Sequence, residues 1–166
     1  MDTTSPLLLL LIHLGPDTYG LDVMDIVEVI PRIEVRPIPQ APDYVAGLIS
    51  YRGTVVPLID LKMMMRKEPC EAWLSTRIVI AECPVGEISG NGEGTGKMTL
   101  AVLGERITET ISVSQSELQS SGIEMSENSY LGKVTMRDQR MVQILRVAHI
   151  LPSELKEMLA RAAKSK

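Results

Sequence analysis

Apolar residues in this chain recur in short runs, at alternate or adjacent positions, and the runs are broken by Gly, Pro, Asn and Asp. That pattern predicts many short strands rather than long helices. The run Leu7 to Leu14 meets a turn at Gly15-Pro16-Asp17 and resumes around Tyr19 to Val23, which predicts a hairpin. Ile26 to Ile30 also fits a helical face, but its β-branched residues and the following Pro31 favour a strand. Alternation then sets Ile26, Glu28 and Ile30 on one side and Val27 and Val29 on the other. With the valines facing the core, the two isoleucines flank Glu28 on the outer face. Pro42 suits the first turn of a short helix that Gly47 ends.

The stretch Tyr44 to Leu61, Y-V-A-G-L-I-S-Y-R-G-T-V-V-P-L-I-D-L, predicts two strands around a tight turn at Arg52-Gly53. Pro57 lacks an N–H, which predicts an edge strand or a bulge there. Thr76 to Cys83 and Met98 to Glu105 predict paired strands joined by a long glycine-bearing loop over 86–97. Ser114 and Glu117 form a capping box for a short helix that Gly122 stops. Leu155, Met158, Leu159 and Ala162 recur at helical spacing, so 152–166 is expected to be a helix docked on the strands. Laying Gly47 on Gly132 aligns Val55 to Leu61 with Met141 to Val147 and implies two similar β modules, the second with one extra residue in its turn.

Composition sharpens the picture of the core. With no Phe, one Trp and four Tyr among 166 residues, the interior must be built from Val, Ile, Leu and ten Met. The length suits a single domain over 7–151, with approximate halves 7–66 and 74–151 that exchange strands. Leu7 to Ile12 is far shorter than the roughly 20 apolar residues of a membrane helix. Asp2 stands where a signal peptide carries positive charge, so this run is expected to be a buried strand and the protein cytoplasmic. Net charge is −4 and the basic residues are scattered, which argues against a nucleic-acid surface.

Candidate chemistry is sparse. Gly90 to Lys97 fails the P-loop spacing at Asn91 and Met98, and it leads into a strand rather than a helix. His13 and His149 have no partners at a metal-ligand spacing, and Cys70 and Cys83 fit neither a redox motif nor a zinc cluster. Glu105 and Glu109 read as solvated acids. No catalytic residue, cofactor or metal is therefore expected. Ile26 and Ile30 beside Glu28 suit a protein contact or a face covered by a loop, and Arg52 suits a solvated turn or a grip on a partner's carboxylate or carbonyl.

Taken together, L-I-H-L-G-P-D-T-Y-G-L-D-V, I-V-E-V-I-P, P-I-P-Q-A-P-D-Y-V-A-G-L-I, Y-R-G-T-V-V-P-L-I-D-L and Y-L-G-K-V resemble the CheW-like adaptors of bacterial chemosensory arrays. The resemblance implies an all-β fold of two small SH3-like β-barrel subdomains packed around a shared apolar core. It also implies a non-enzymatic scaffold coupling chemoreceptor cytoplasmic tips to a histidine autokinase. Ile26, Glu28 and Ile30 then match kinase-contact positions, and Arg52 with Gly53 matches a receptor-contact position. Leu103-Gly104 departs from the family, which carries Asp after a Val there, and Y-R-G replaces the commoner L-R-G. L-S-T-R-I-V-I-A and I-L-P-S-E-L are similar to the Wsp-like branch, which steers cyclic-di-GMP synthesis. A ligand-binding sensor or small enzyme, with its site between the two modules, is the alternative reading.

Overall fold

The shortest route to the architecture is β1, Leu7–Leu14, because both of its faces are buried. In the computed structural model, which describes residues 5–84, 97–120, 130–151 and 155, Leu10, Ile12 and Leu14 face one apolar cluster while Leu9 and Leu11 face another. A strand buried on both sides reads as a continuous apolar run, and L-L-L-L-L-I is that run. The same doubling recurs in β6, Arg77–Pro84, where Val79 and Ala81 enter the shared cluster and Ile78 and Ile80 enter the second sheet's own. In β7, Lys97–Gly104, Leu100 and Val102 divide from Ala101 and Leu103 in the same way.

The remaining strands are β2, Asp17–Asp22; β3, Ile26–Pro31; β4, Val45–Tyr51; β5, Thr54–Asp60; β8, Thr110–Val113; β9, Leu131–Arg137; and β10, Arg140–Leu145. They form two five-stranded sheets, ordered β8-β1-β2-β10-β9 and β3-β6-β7-β5-β4. Each sheet joins an antiparallel trio to an antiparallel hairpin through one parallel pairing, β2 with β10 and β7 with β5. Reciprocal backbone bonds between Arg36 and Leu48, both 2.8 Å, and between Gln119 and Val134, 2.8 and 2.9 Å, cover β4 and β9. Two small SH3-like β-barrels result, with the shared cluster between them. Sheet membership crosses the expected division at 66–74, since β1 and β2 pair with β8 and β10 while β6 and β7 join β3 to β5.

Several local expectations are corrected. Pro42 starts no helix: Val45 N–H donates to the Pro42 carbonyl at 2.9 Å in a turn, and Gly47 lies inside β4. Gly47 adopts φ +146°, and a Cβ there would stand 2.2 Å from the Arg36 carbonyl oxygen. Close backbone approach, not helix termination, is what requires the glycine. Pro57 lies in β5, an interior strand between β7 and β4. Leu48 spends its N–H and C=O on Arg36, so Leu48 and Pro57 oppose each other as a pair that β4 does not hydrogen-bond. The donor that proline lacks is therefore not asked for by that neighbour.

The two hairpin turns are also equal in length. Tyr51 opposes Thr54 and Arg137 opposes Arg140, leaving Arg52-Gly53 and Asp138-Gln139 as two-residue turns with every φ positive. The extra residue expected in the second turn is absent: each hairpin carries one register shift lower down, and Tyr51 corresponds to Arg137 and Leu48 to Val134, so Gly47 does not fall on Gly132. One helix went unforeseen: α1, Leu61–Arg66, begins where Asp60 Oδ1 accepts from Met63 N–H at 3.1 Å and ends at left-handed Lys67. The capping box forms on a single 3₁₀ turn, Gln115–Glu117, with Glu117 Oε2 accepting from Ser114 N–H at 2.9 Å. Gly122, the loop residues 85–96 and the expected C-terminal helix lie outside the described residues, apart from Leu155, which is helical and buried.

Candidate partner-binding site on β3 and the β4–β5 turn

The terminal strand β3 pairs with β6 on one side, and its side chains alternate strictly between half-buried and exposed. The alternation is as expected but the faces are reversed. Ile26 packs on the shared cluster and Ile30 on the second sheet's cluster, while Val27 and Val29 are 47% and 39% exposed. A period of two specifies that neighbours part company, not which set goes inside, and the larger isoleucines bury more area than the valines. Met24, before the strand, and Ile33, after it, are exposed as well. The outer patch is thus Val27 and Val29, and the isoleucines support it from behind.

Glu28 shares the inward side with the isoleucines, yet its carboxylate reaches the rim of the barrel. There Tyr51 Oη donates to Oε2, and Arg52 Nη2 meets the same oxygen at 3.1 Å. The Arg52 guanidinium also lies 5.3 Å from the centre of the Tyr51 ring. This hydrogen bond to Glu28, together with burial, raises the Tyr51 phenol above its usual pKa. Two residues expected to serve different partners, Glu28 and Arg52, therefore belong to one cluster. Gly53 sits beside it with φ +78° and open space around its Cβ position, so within the chain it is the turn conformation that calls for glycine. Tyr51 was missed by sequence reasoning; its only signal was the departure from L-R-G.

Other polar groups are structural. Lys62 Nζ meets Glu105 Oε1 at 3.0 Å, and Glu71 N–H donates to the same oxygen at 2.6 Å. Glu105 is buried rather than solvated, a correction, whereas Glu109 is exposed. The hydrogen bond to Glu105 raises the Lys62 pKa, outweighing the opposing effect of burial. His13 Nδ1 lies 3.1 Å from Thr18 Oγ1 and Nε2 lies 4.0 Å from Glu109, while His149 stands 2.8 Å from Arg146. Cys70 and Cys83 are free thiols, and burial pushes the Cys70 thiol far up. The Leu103-Gly104 departure has a steric cause: a Cβ at Gly104 would stand 2.7 Å from Ile12 Cγ2. Among the described residues, no helix is long and apolar enough to cross a membrane.

The model of the CheW-like domain matches residues 8–155. This chain belongs to that family. The CheW-like protein is 26% identical to the chemotaxis protein CheW of Helicobacter pylori over 142 residues, covering 85% of this chain and 79% of the relative. It is 34% identical to the Treponema pallidum chemotaxis protein CheW over 108 residues, 65% of this chain and 59% of that one. The crystal structure of the scaffolding protein TtCheW from Thermoanaerobacter tengcongensis superposes with a TM-score of 0.70 at 22% identity, covering 86% of this chain and 85% of its own. The two-barrel fold is shared across that distance.

Proposed function

We propose that this chain is a cytoplasmic, non-enzymatic adaptor that couples the cytoplasmic tip of a chemoreceptor to a histidine autokinase. The observation that carries this reading is the exposed Val27/Val29 row beside the Glu28–Tyr51–Arg52 cluster, on a chain that matches the CheW-like model almost throughout. An apolar row with a charged rim suits a protein partner. The kinase regulatory domain takes the β3 side, with Val27 and Val29 as apolar contacts, Glu28 as the rim charge and Ile26 and Ile30 holding the strand in place. The receptor tip takes Arg52 at the Gly53 turn, where the fixed backbone limits the entropy lost on binding.

Calorimetric titration with the cognate kinase regulatory domain and with a receptor-tip fragment tests this directly. Binding of each is expected, and no heat with either at high concentration would sink the reading. Glu28→Lys is expected to weaken kinase binding with the fold intact, since it reverses a rim charge that is partly exposed and opposes Arg52. Unchanged affinity in that variant would remove Glu28 from the contact.

A further inference from the structure

Glu28 carries its two donors on one oxygen, Oε2, and among the described residues Oε1 has none. The two donors are held very differently. Tyr51 packs against the apolar cluster of the second sheet, so the fold fixes its hydroxyl. Arg52 is 73% exposed, is engaged through Nη2 alone and is tied to the cluster only by Glu28 and the face of the Tyr51 ring. One donor is anchored and neutral; the other is exposed and charged.

We propose that Tyr51 is a positioning residue that keeps Glu28 oriented and hydrogen-bonded while Arg52 leaves it for a carboxylate on the receptor tip. The proposal rests on the adaptor reading above. A carboxylate that loses its only strong donor resists the loss, because a partly desolvated acceptor left unpaired is costly. With Tyr51 in place the departure of Arg52 strands nothing, and the guanidinium trades one carboxylate for another. A phenol is suited to this task because it donates without bringing charge, so it does not compete with Arg52 for the incoming acid. A phenol keeps its proton across the physiological range, and the hydrogen bond to Glu28 pushes its pKa further up.

The test is Tyr51→Phe, alone and in an Arg52→Asn background, titrated with the receptor-tip fragment, together with NMR relaxation of the Arg52 Nε–H in the free protein. In Tyr51→Phe, Arg52 becomes the sole donor to Glu28. Its Nε–H should lose mobility, and affinity should fall about fivefold, the scale of one partly exposed charge-assisted hydrogen bond. In the Arg52→Asn background there is no guanidinium to release, so the same substitution should leave affinity unchanged. A merely structural Tyr51 would lower affinity equally in both backgrounds, and that result overturns the proposal. Unchanged Arg52 relaxation overturns it as well. Absence of wild-type binding overturns the adaptor reading and the proposal with it, whereas wild-type binding with equal losses overturns the proposal alone.

Discussion

Replacing Arg52 by Asn separates what the turn needs from what the guanidinium does. Arg52 and Gly53 occupy a two-residue turn with φ +49° and +78°, the hairpin geometry in which both central residues are left-handed. An ordinary L-residue in that conformation costs roughly 1–2 kcal/mol, and Asn recovers part of it because its short amide tolerates the region. Against this gain stands the Glu28 ion pair, whose side chains are 73% and 39% exposed. An exposed pair of this kind contributes about 0–1 kcal/mol. The two effects have opposite sign and similar size, so net stability should change by less than about 1 kcal/mol, or about 3 °C in melting temperature for a domain of this size. Affinity for the receptor-tip fragment should nevertheless fall by at least about tenfold, since losing a contact Arg at a partner's carboxylate costs 1.4 kcal/mol or more. Thermal melting followed by circular dichroism, paired with the titration, reads both. A melting point lowered by well over about 5 °C would make Arg52 a structural residue, and unchanged affinity would remove it from the contact.

Gly47→Ala should lower stability by about 3 kcal/mol or more, because its Cβ would meet the Arg36 carbonyl and break the bridge that covers β4. An unchanged urea midpoint would refute that close approach. Lys62→Met should cost about 3 kcal/mol at neutral pH, since it leaves the buried Glu105 carboxylate without its cation. The folded pKa of Lys62 is raised, so the pair contributes fully below the usual lysine range and loses its contribution as pH rises through the folded value. Denaturation at strongly alkaline pH should therefore show a smaller gap between wild type and variant, and a gap independent of pH would contradict the assignment. Cys70, its thiol pushed up by burial, and the buried Cys83 should react with Ellman's reagent far more slowly in the native state than after unfolding. Immediate stoichiometric reaction of the native protein would show that the thiols are not held as described.

The strands were legible because their signal is local. L-L-L-L-L-I and R-I-V-I-A announce buried strands, and Y-R-G-T announces a hairpin, without reference to anything distant. What escaped depends on contacts across the chain. Gly47 resembled a helix stop, but its conformation answers Arg36, eleven positions earlier in sequence and hydrogen-bonded to the next residue, Leu48. Asp60 is an ordinary N-cap residue type hidden at the end of an apolar strand run, and only the fold shows that one oxygen serves Met63 and the other Cys70 N–H at 3.0 Å. Glu105 looked solvated because its cation, Lys62, lies 43 residues away. The candidate site shows the same division: Glu28 and Arg52 could each be singled out, but their meeting is a property of the closed barrel.

The internal repeat makes the location of the site an argument from chemistry. By strand order, β8 occupies in the first sheet the place that β3 holds in the second, and the β9–β10 turn corresponds to the β4–β5 turn. Backbone alone does not distinguish the two ends, since each hairpin turns through two residues with positive φ. The side chains do. Where β3 exposes Val27 and Val29, β8 exposes Thr110 and Ser112. Where Tyr51 and Arg52 close on Glu28, the second turn presents Arg137, Asp138 and Arg140, and among the described residues no carboxylate lies within ion-pair distance of either arginine. Hydroxyl-bearing strand edges are readily hydrated and offer a partner little apolar area to bury. Two copies of one architecture thus carry unequal surfaces, and among the described residues the end that sets exposed valines beside a Tyr–Arg–Glu cluster is the one on β3. A duplicated scaffold can keep both barrels for stability, through the core they share, while leaving recognition to the few positions that point away from it.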